Sequence, residues 1–371
     1  MKNFFALIAA LAIILSSSSS FASEKLIEAT GTYIMDSRLD ETPASATARA
    51  REEAKRAAVE EAGIYLQAHS KMINMHLVED EVETIAASLL KIQDESREVE
   101  VLEKNLLQFT VTIKALVNDL SDEDLKALAQ NKGSLGDATR KYKELQEKYD
   151  ALRNQMETLK RDYDKANDAQ KAEIKREVAR NSENFSAVEA MGRGNDFAFA
   201  KNYGQALAAY DEAIKLNPQL AEAYNNRGTV KYELGQYSSA IEDYTTAIKL
   251  KSNFADALNN RGNAYLATEQ FQNAAQDLQA AIKLKDNSAV IHNNLGSVYY
   301  SMKNFDAAIK EYTRAIQIDS KYAEAWYNRA IVYYVQGDLN KAMSDVKEAR
   351  KLNPNDAEII SLQEKISAKK S

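Results

Sequence analysis

The chain has 371 residues, 48 basic against 55 acidic side chains, a formal charge of −7 and no cysteine. The acidic balance argues against a nucleic-acid or anionic-membrane surface as the main partner, and the lack of thiols excludes disulfides, a lipid-anchoring cysteine and a cysteine nucleophile. With only 12 glycines and 3 prolines among abundant Ala, Glu, Lys and Leu, a mostly helical protein of two or three domains is expected.

Residues 1–22 hold Lys2, the apolar run FFALIAALAIIL, a serine run and Ser20-Phe21-Ala22. A short basic region, about a dozen apolar residues and small residues three and one before a cut form the pattern of a secretory signal peptide. Cleavage is expected between Ala22 and Ser23. The apolar run is short for a membrane span, so no integral membrane segment is expected after cleavage. Export without cysteine fits a bacterial periplasmic or envelope-associated protein, secreted if the host lacks an outer membrane.

Residues 23–119 read as a small α+β module of order β-α-α-β-β. LIEATGTYIM is an expected strand. Pro43 opens a helix whose alanines 46, 50, 54, 57, 58 and 62 leave one side smooth enough for close packing. DEVETIAASLLK is an expected second helix, and KIQDESREVEVL and LLQFTVTIKAL are closing strands. The last alternates Leu107, Phe109, Val111, Ile113 and Ala115 on one face with polar residues on the other. The Ala29-x-Gly31 strand, the alanine ladder ending at Gly63 and the paired final strands resemble the N-terminal domain of flagellar assembly protein T and related envelope lipoproteins. That resemblance implies an envelope-associated interaction module, not a catalyst.

Residues 120–186 are an expected helical spacer. Ser121 with Asp124 suits a helix start, and Gly133 and Gly136 are expected to interrupt that helix. From Ala138 the apolar residues step by four and three through Tyr142, Leu145, Tyr149, Leu152, Met156, Leu159, Tyr163 and Ala166, the 3.5 period of a coiled coil. Self-association through residues 138–166, giving a homo-oligomer, is favoured because charges flank a narrow and otherwise unsatisfied stripe. The alternative is a single helix or helical hairpin packed on the neighbouring domains. Lys165 to Glu183 is expected to be a semi-rigid arm.

From residue 187 the chain repeats itself at a period of 34, in copies 187–220, 221–254, 255–288, 289–322 and 323–356. A fixed period of this size marks one supersecondary unit stacking on its neighbours. The eighth residue is small (Gly194, Gly228, Gly262, Gly296, Ala330), and alanine recurs at the twentieth and twenty-seventh. Tyr244, Leu278, Tyr312 and Val346 fill inward positions of the second helix. Gly235 and Gly337 fall between helices, and Pro218 and Pro354 where a copy ends. These positions resemble the tetratricopeptide repeat family, with its early tryptophan kept only as Trp326 and its closing proline replaced by Ser252, Asp286 and Ser320. The resemblance implies an α-solenoid of five helix pairs, with residues 357–371 as capping helix and tail.

Chemistry has little to work with. The only histidines are His69, His76 and His292, no phosphate or dinucleotide fingerprint occurs, and the acidic residues lie on charged helix faces. No catalytic residue, metal site or cofactor is expected, and the chain reads as a protein that is not an enzyme.

The candidate site is a row of amides. Asn226, Asn260, Asn294 and Asn328 recur as the sixth residue of successive first helices, preceded by Asn225, Asn259 and Asn293. By helical spacing they share one face with Asn263, Thr229 and Ser297 at the ninth position and with Tyr232, Tyr300 and Tyr334 at the twelfth, and the family resemblance implies that this face is the concave side. Tyr327 takes the place of asparagine in the last copy. Amides offer donors and acceptors together, so a row of them suits the backbone of an extended peptide. The row resembles the asparagine ladder of O-linked N-acetylglucosamine transferase repeats, which implies the same role. Arg227, Arg261 and Arg329 follow the asparagines and are candidates for a ligand carboxylate. The second position holds Glu222, Asp256, Val290 and Glu324, so the carboxylate clamp of chaperone-binding members is not expected. A purely structural role for the asparagines, bonding a neighbouring helix or fixing the angle between copies, stands beside the ligand reading.

The expected function is an exported scaffold that binds a peptide or protein in the groove and self-associates. Its order of signal peptide, coiled coil and C-terminal repeats is similar in outline to that of the periplasmic protein that coordinates peptidoglycan synthesis with outer-membrane constriction, which has no counterpart of the N-terminal module. The alternative makes the α+β module the working part, in flagellar or cell-surface assembly, with the repeats as a spacer.

Overall fold

The computed structural model describes residues 25–72, 82–83, 85–87, 90–103, 105–117 and 132–370. The expected signal peptide with its Ala22–Ser23 cut, His76 and the Ser121/Asp124 helix start lie outside them. The chain divides into two compact units, Met1–Pro218 and Gln219–Ser371. Among the described residues no helix is long and apolar enough to cross a membrane.

The first unit is layered. Strands β1 (Lys25–Asp36), β2 (Leu90–Glu103) and β3 (Leu106–Val117) form an antiparallel sheet in the order β1-β3-β2. Phe109, Val111, Ile113 and Ala115 of β3 are buried, as the alternation requires. Helix α1 (Pro43–Met72) covers β1 and β3 with Ala46, Ala50, Ala54, Ala58 and Ala62, all fully buried, while Ala57 faces outward. The smooth side lets the helix come so close that a Cβ on Gly31 would overlap the backbone of Ala50 and Ala54. Helical residues at 82–83 and 85–87 stand where the second helix is expected, and Val82, Ile85 and Ala86 join the same core.

Helices α2 (Lys132–Tyr163) and α3 (Asp168–Phe199) form a hairpin. A capping box starts α3: Gln170 N–H donates to Asn167 Oδ1 at 3.0 Å and Asn167 N–H to Gln170 Oε1 at 2.9 Å. Three expectations are corrected here. Helix α2 passes through Gly133 and Gly136 without interruption. The seam is real but is covered by its own chain. Leu145, Tyr149 and Leu152 pack with Ala48, Phe185 and Val188, and Met156, Leu159 and Tyr163 with Leu39, Ile174 and Val178. The stripe that argued for self-association is therefore already satisfied by α1 and α3, as in the hairpin alternative. The expected arm is no free arm either: α3 runs unbroken across residue 187, with Val178, Asn181 and Ser182 buried, and α4 (Tyr203–Leu216) packs against its far end.

The second unit stacks helix pairs α5/α6 (Ala221–Glu233, Tyr237–Leu250), α7/α8 (Ala255–Ala267, Phe271–Leu284), α9/α10 (Ala289–Ser301, Phe305–Ile318) and α11/α12 (Ala323–Gln336, Leu339–Leu352). The small eighth residue explains the pairing. A Cβ on Gly228 would lie 2.8 Å from the Tyr244 ring, on Gly262 2.8 Å from Leu278 and on Gly296 2.6 Å from Tyr312. Where the eighth residue is Ala330, its partner shrinks to Val346. The capping helix α13 (Ala357–Lys370) buries Ile359, Leu362 and Ile366 against Ala330, Ala342, Val346 and Ala349.

The turn inside each copy has one geometry that the residue types only half reveal. The fifteenth residue is left-handed in all five copies: Lys201 (φ 58°), Gly235 (74°), Glu269 (59°), Lys303 (58°) and Gly337 (82°). A side chain strains that conformation, and helices commonly end on glycine to avoid it. Lys201→Gly, Glu269→Gly and Lys303→Gly are each expected to raise stability by about 0.5–1 kcal/mol. Urea unfolding midpoints check this, and a fall at all three sites would refute it.

Candidate functional site

Within the second unit, successive first helices α5, α7, α9, α11 and α13 approach one another more closely than the second helices do, which makes them the inner wall. The asparagines lie along this wall and bond to each other. Asn294 Nδ2 donates to Asn259 Oδ1 at 2.8 Å, Asn259 to Asn260 at 3.3 Å, Asn260 to Asn225 at 3.1 Å and Asn225 to Asn226 at 3.2 Å. Asn328 donates to Asn293 at 3.0 Å, and Asn293 to Glu324 Oε1 at 3.3 Å. Each asparagine–asparagine link between copies joins the sixth residue of one to the fifth of the copy before. Asn225, Asn259, Asn260 and Asn293 are buried, so they belong to the joints between copies.

Burial sorts the row. A carboxamide carries two N–H groups and two acceptor sites. Asn294 and Asn328 are half-buried and give one N–H each to the ladder, which leaves hydrogen-bonding capacity toward solvent. Asn263, half-buried three residues beyond Asn260, lies on the same face. The neighbouring hydroxyls turn inward: Thr229 donates to Asn225 O and Ser297 to Asn293 O, at 3.0 and 3.1 Å. Tyr232 and Tyr300 pack on Tyr237 and Phe305 at the start of the second helix, with ring centroids 5.2 and 5.9 Å apart. Tyr327 is half-buried at the C-terminal end of the wall.

The arginines are elsewhere. Arg227, Arg261 and Arg329 each hold an aspartate of their own second helix in a two-point bond, to Asp243, Asp277 and Asp345, with contacts of 2.6–2.9 Å. Arg261 and Arg329 also donate to Thr245 and Thr313 of the preceding copy, at 3.1 and 2.8 Å. They meet a carboxylate as expected, but it is the chain's own, and they tie copies together instead of meeting a ligand. In the copy with Leu295 in place of arginine, His292 takes over: Nδ1 lies 2.7 Å from Glu311 Oε2, and Nε2 3.2 Å from the Asp286 carbonyl. The sequence carried a signal for this arrangement, an acidic residue sixteen positions after each of these arginines.

The regularity of these joints decides what the segment is. The TPR repeat family matches residues 194–235, 228–269, 262–303 and 296–337, and the tetratricopeptide repeat family matches 323–356. Residues 194–356 are tetratricopeptide repeats. A crystal structure of MamA is 27% identical and covers 43% of this chain and 94% of its own, at a TM-score of 0.40. YrrB, described as a TPR protein with an unusual peptide-binding site, is 22% identical over 51% of this chain and 96% of its own, at 0.42. The pilF protein of Pseudomonas aeruginosa is 18% identical over 58% and 98%, at 0.44. No curated protein matches the chain.

Outside the tetratricopeptide repeats, the first unit holds a buried ionic cluster that the sequence did not single out. Glu41, with no exposed side-chain surface, lies 3.4 Å from Arg49 Nε and 3.8 Å from Lys160 Nζ. Lys160 donates to Tyr33 Oη and to the Ile34 carbonyl at 2.8 and 2.6 Å, and Arg49 donates to Asn181 Oδ1 at 2.6 Å. Burial pushes the Glu41 carboxyl above its usual range and Arg49 and Lys160 below theirs. The cluster draws on β1, α1, α2 and α3, and its chemistry is that of a bolt between layers.

Proposed function

We propose that the chain is an exported envelope scaffold that holds an extended peptide or protein segment against the inner wall of its repeats. The observation that carries this reading is the set of half-buried carboxamides Asn263, Asn294 and Asn328, on successive first helices, with hydrogen-bonding capacity left over from the ladder. Spaced amides serve peptide backbone whatever its sequence. Export rests on the signal-like residues 1–22. Self-association through residues 138–166 would require α2 to leave Phe185, Val188 and Val178, and forms no part of the proposal.

The test is capture from bacterial envelope extract by the full chain and by a variant with Asn263, Asn294 and Asn328 all changed to alanine. The variant gives up the Asn294–Asn259 and Asn328–Asn293 bonds and keeps Asn260–Asn225, so circular dichroism and the urea midpoint first establish that its repeats are folded. A partner retained by the wild type and reduced at least tenfold by the variant is the expected result; equal retention refutes the groove.

A second reading places the contact on the N-terminal layer. Helix α1 covers β1 and β3 but leaves the edge strand β2 largely bare, with Val99 and Val101 58% and 67% exposed. Bare edge strands recruit other chains, and the resemblance to the flagellar assembly domain points the same way. Loss of capture in a Val99→Lys/Val101→Lys variant, with capture intact in the asparagine variant, favours it.

A further inference from the structure

The inner wall changes character at its C-terminal end. In the three preceding copies the fifth residue is Asn225, Asn259 and Asn293 and the ninth is Thr229, Asn263 and Ser297; in the last copy they become Tyr327 and Ile331. The ladder stops at Asn328. Beyond it opens a cleft of about 410 Å3, walled by Tyr327, Ile331 and Tyr334 of α11 and by Glu358, Leu362 and Lys365 of α13. A polar row reads peptide backbone, whereas an apolar recess with few polar groups reads a side chain.

The charges at the cleft are unequal. Glu358 is the one acidic residue lining the cleft, and burial together with its nearby charge pushes the Tyr327 hydroxyl above its usual range. Lys365 has no ion pair among the described residues. Lys369, on the same helix one turn further, lies 4.8 Å from the centre of the Tyr334 ring. Two ammonium groups therefore border an apolar recess that holds a single acidic side chain.

We propose that this cleft is the specificity pocket of the groove: it takes one leucine- or phenylalanine-sized side chain of an extended peptide, followed closely by a carboxylate that meets Lys365. The proposal rests on the peptide-holding reading above and adds the class of peptide. The last repeat and the capping helix together would then select, while the asparagine wall upstream holds backbone.

Fluorescence anisotropy with the full chain tests it, using labelled nonapeptides of serine, threonine and asparagine. Each carries Leu, Phe or Ser at its centre and Asp, Asn or Lys two residues later. Peptides with Leu or Phe before Asp are expected to bind at least tenfold more tightly than those with Ser before Asp or Leu before Lys. Lys365 is exposed, so Lys365→Glu keeps the fold, and it is expected to invert the charge preference toward the Lys peptides. Equal binding across the set, or an unchanged preference in Lys365→Glu, overturns the pocket. Undiscriminating binding that the asparagine variant abolishes leaves the groove standing and removes only the pocket. If no peptide binds, the pocket falls and the capture experiment judges the groove. A dimer in sedimentation that Lys365→Glu dissolves would assign the cleft to a second copy and overturn the peptide.

Discussion

Replacing Gly31 with alanine is expected to strip β1 from α1 and open the core of the N-terminal layer. The added methyl would meet the Ala50 carbonyl oxygen, the Ala54 nitrogen and, at 2.8 Å, the Glu53 carbonyl carbon. None of these can rotate away as a side chain would, so the helix or the strand must shift as a body. Overpacking typically costs about 1–3 kcal/mol when side chains give way. Here the cost is expected at or above about 3 kcal/mol, because backbone must yield. The shift would uncover Ile27, Ala29, Val111 and Ile113, which are buried together in that core. Hydrogen exchange read by mass spectrometry separates the two units: peptides from β1 and β3 should lose protection while those from α5 to α12 keep theirs. Wild-type protection of β1 in Gly31→Ala would show that the layers are less closely fitted than their geometry implies.

The repeats were legible because their constraint is periodic. Each copy must place a small residue against a large one, so Gly228 with Tyr244, Gly296 with Tyr312 and Ala330 with Val346 repeat at fixed spacing. The alanine ladder of α1 was legible for the same reason, since a smooth helix face requires something close to it. The seam of α2 was legible only as a demand. A stripe from Tyr142 to Tyr163 says that an apolar surface must cover it, not whether Phe185 and Val178 of the same chain or another copy will do so. The left-handed turns were visible at Gly235 and Gly337 and hidden at Lys201, Glu269 and Lys303, where tertiary packing imposes a conformation that the residue type does not announce. In the candidate site, spacing placed the asparagines on one face but could not assign their partners. Buried Asn293 and half-buried Asn294 are neighbours in sequence with different work to do. The role of the arginines shows only when their column is paired with the acidic column sixteen residues on.

Those arginines carry the second large effect. Arg261→Leu is expected to destabilise the second unit by about 2–4 kcal/mol, somewhat less than breaking a fully buried pair, because both side chains keep some exposure. The loss has two parts: the two-point bond to Asp277 and the link to Thr245 of the preceding copy. Most of it comes from leaving the Asp277 carboxylate, 11% exposed, without a partner. Arg261→Leu with Asp277→Leu should therefore recover most of the stability, a coupling that a double-mutant cycle measures. The protein already shows how this substitution is answered: where Leu295 stands at the arginine position, the carboxylate is Glu311 and His292 reaches it from three residues earlier. Trp326, the single tryptophan, lies in α11 of the same unit, so its fluorescence follows urea unfolding there. A peptide-binding arginine would give the opposite pattern. Its loss would leave the unfolding midpoint within about 0.5 kcal/mol of wild type, as surface substitutions do, and would abolish capture of the partner. The scaffold role requires the reverse, a lower midpoint with capture unchanged wherever the unit is folded.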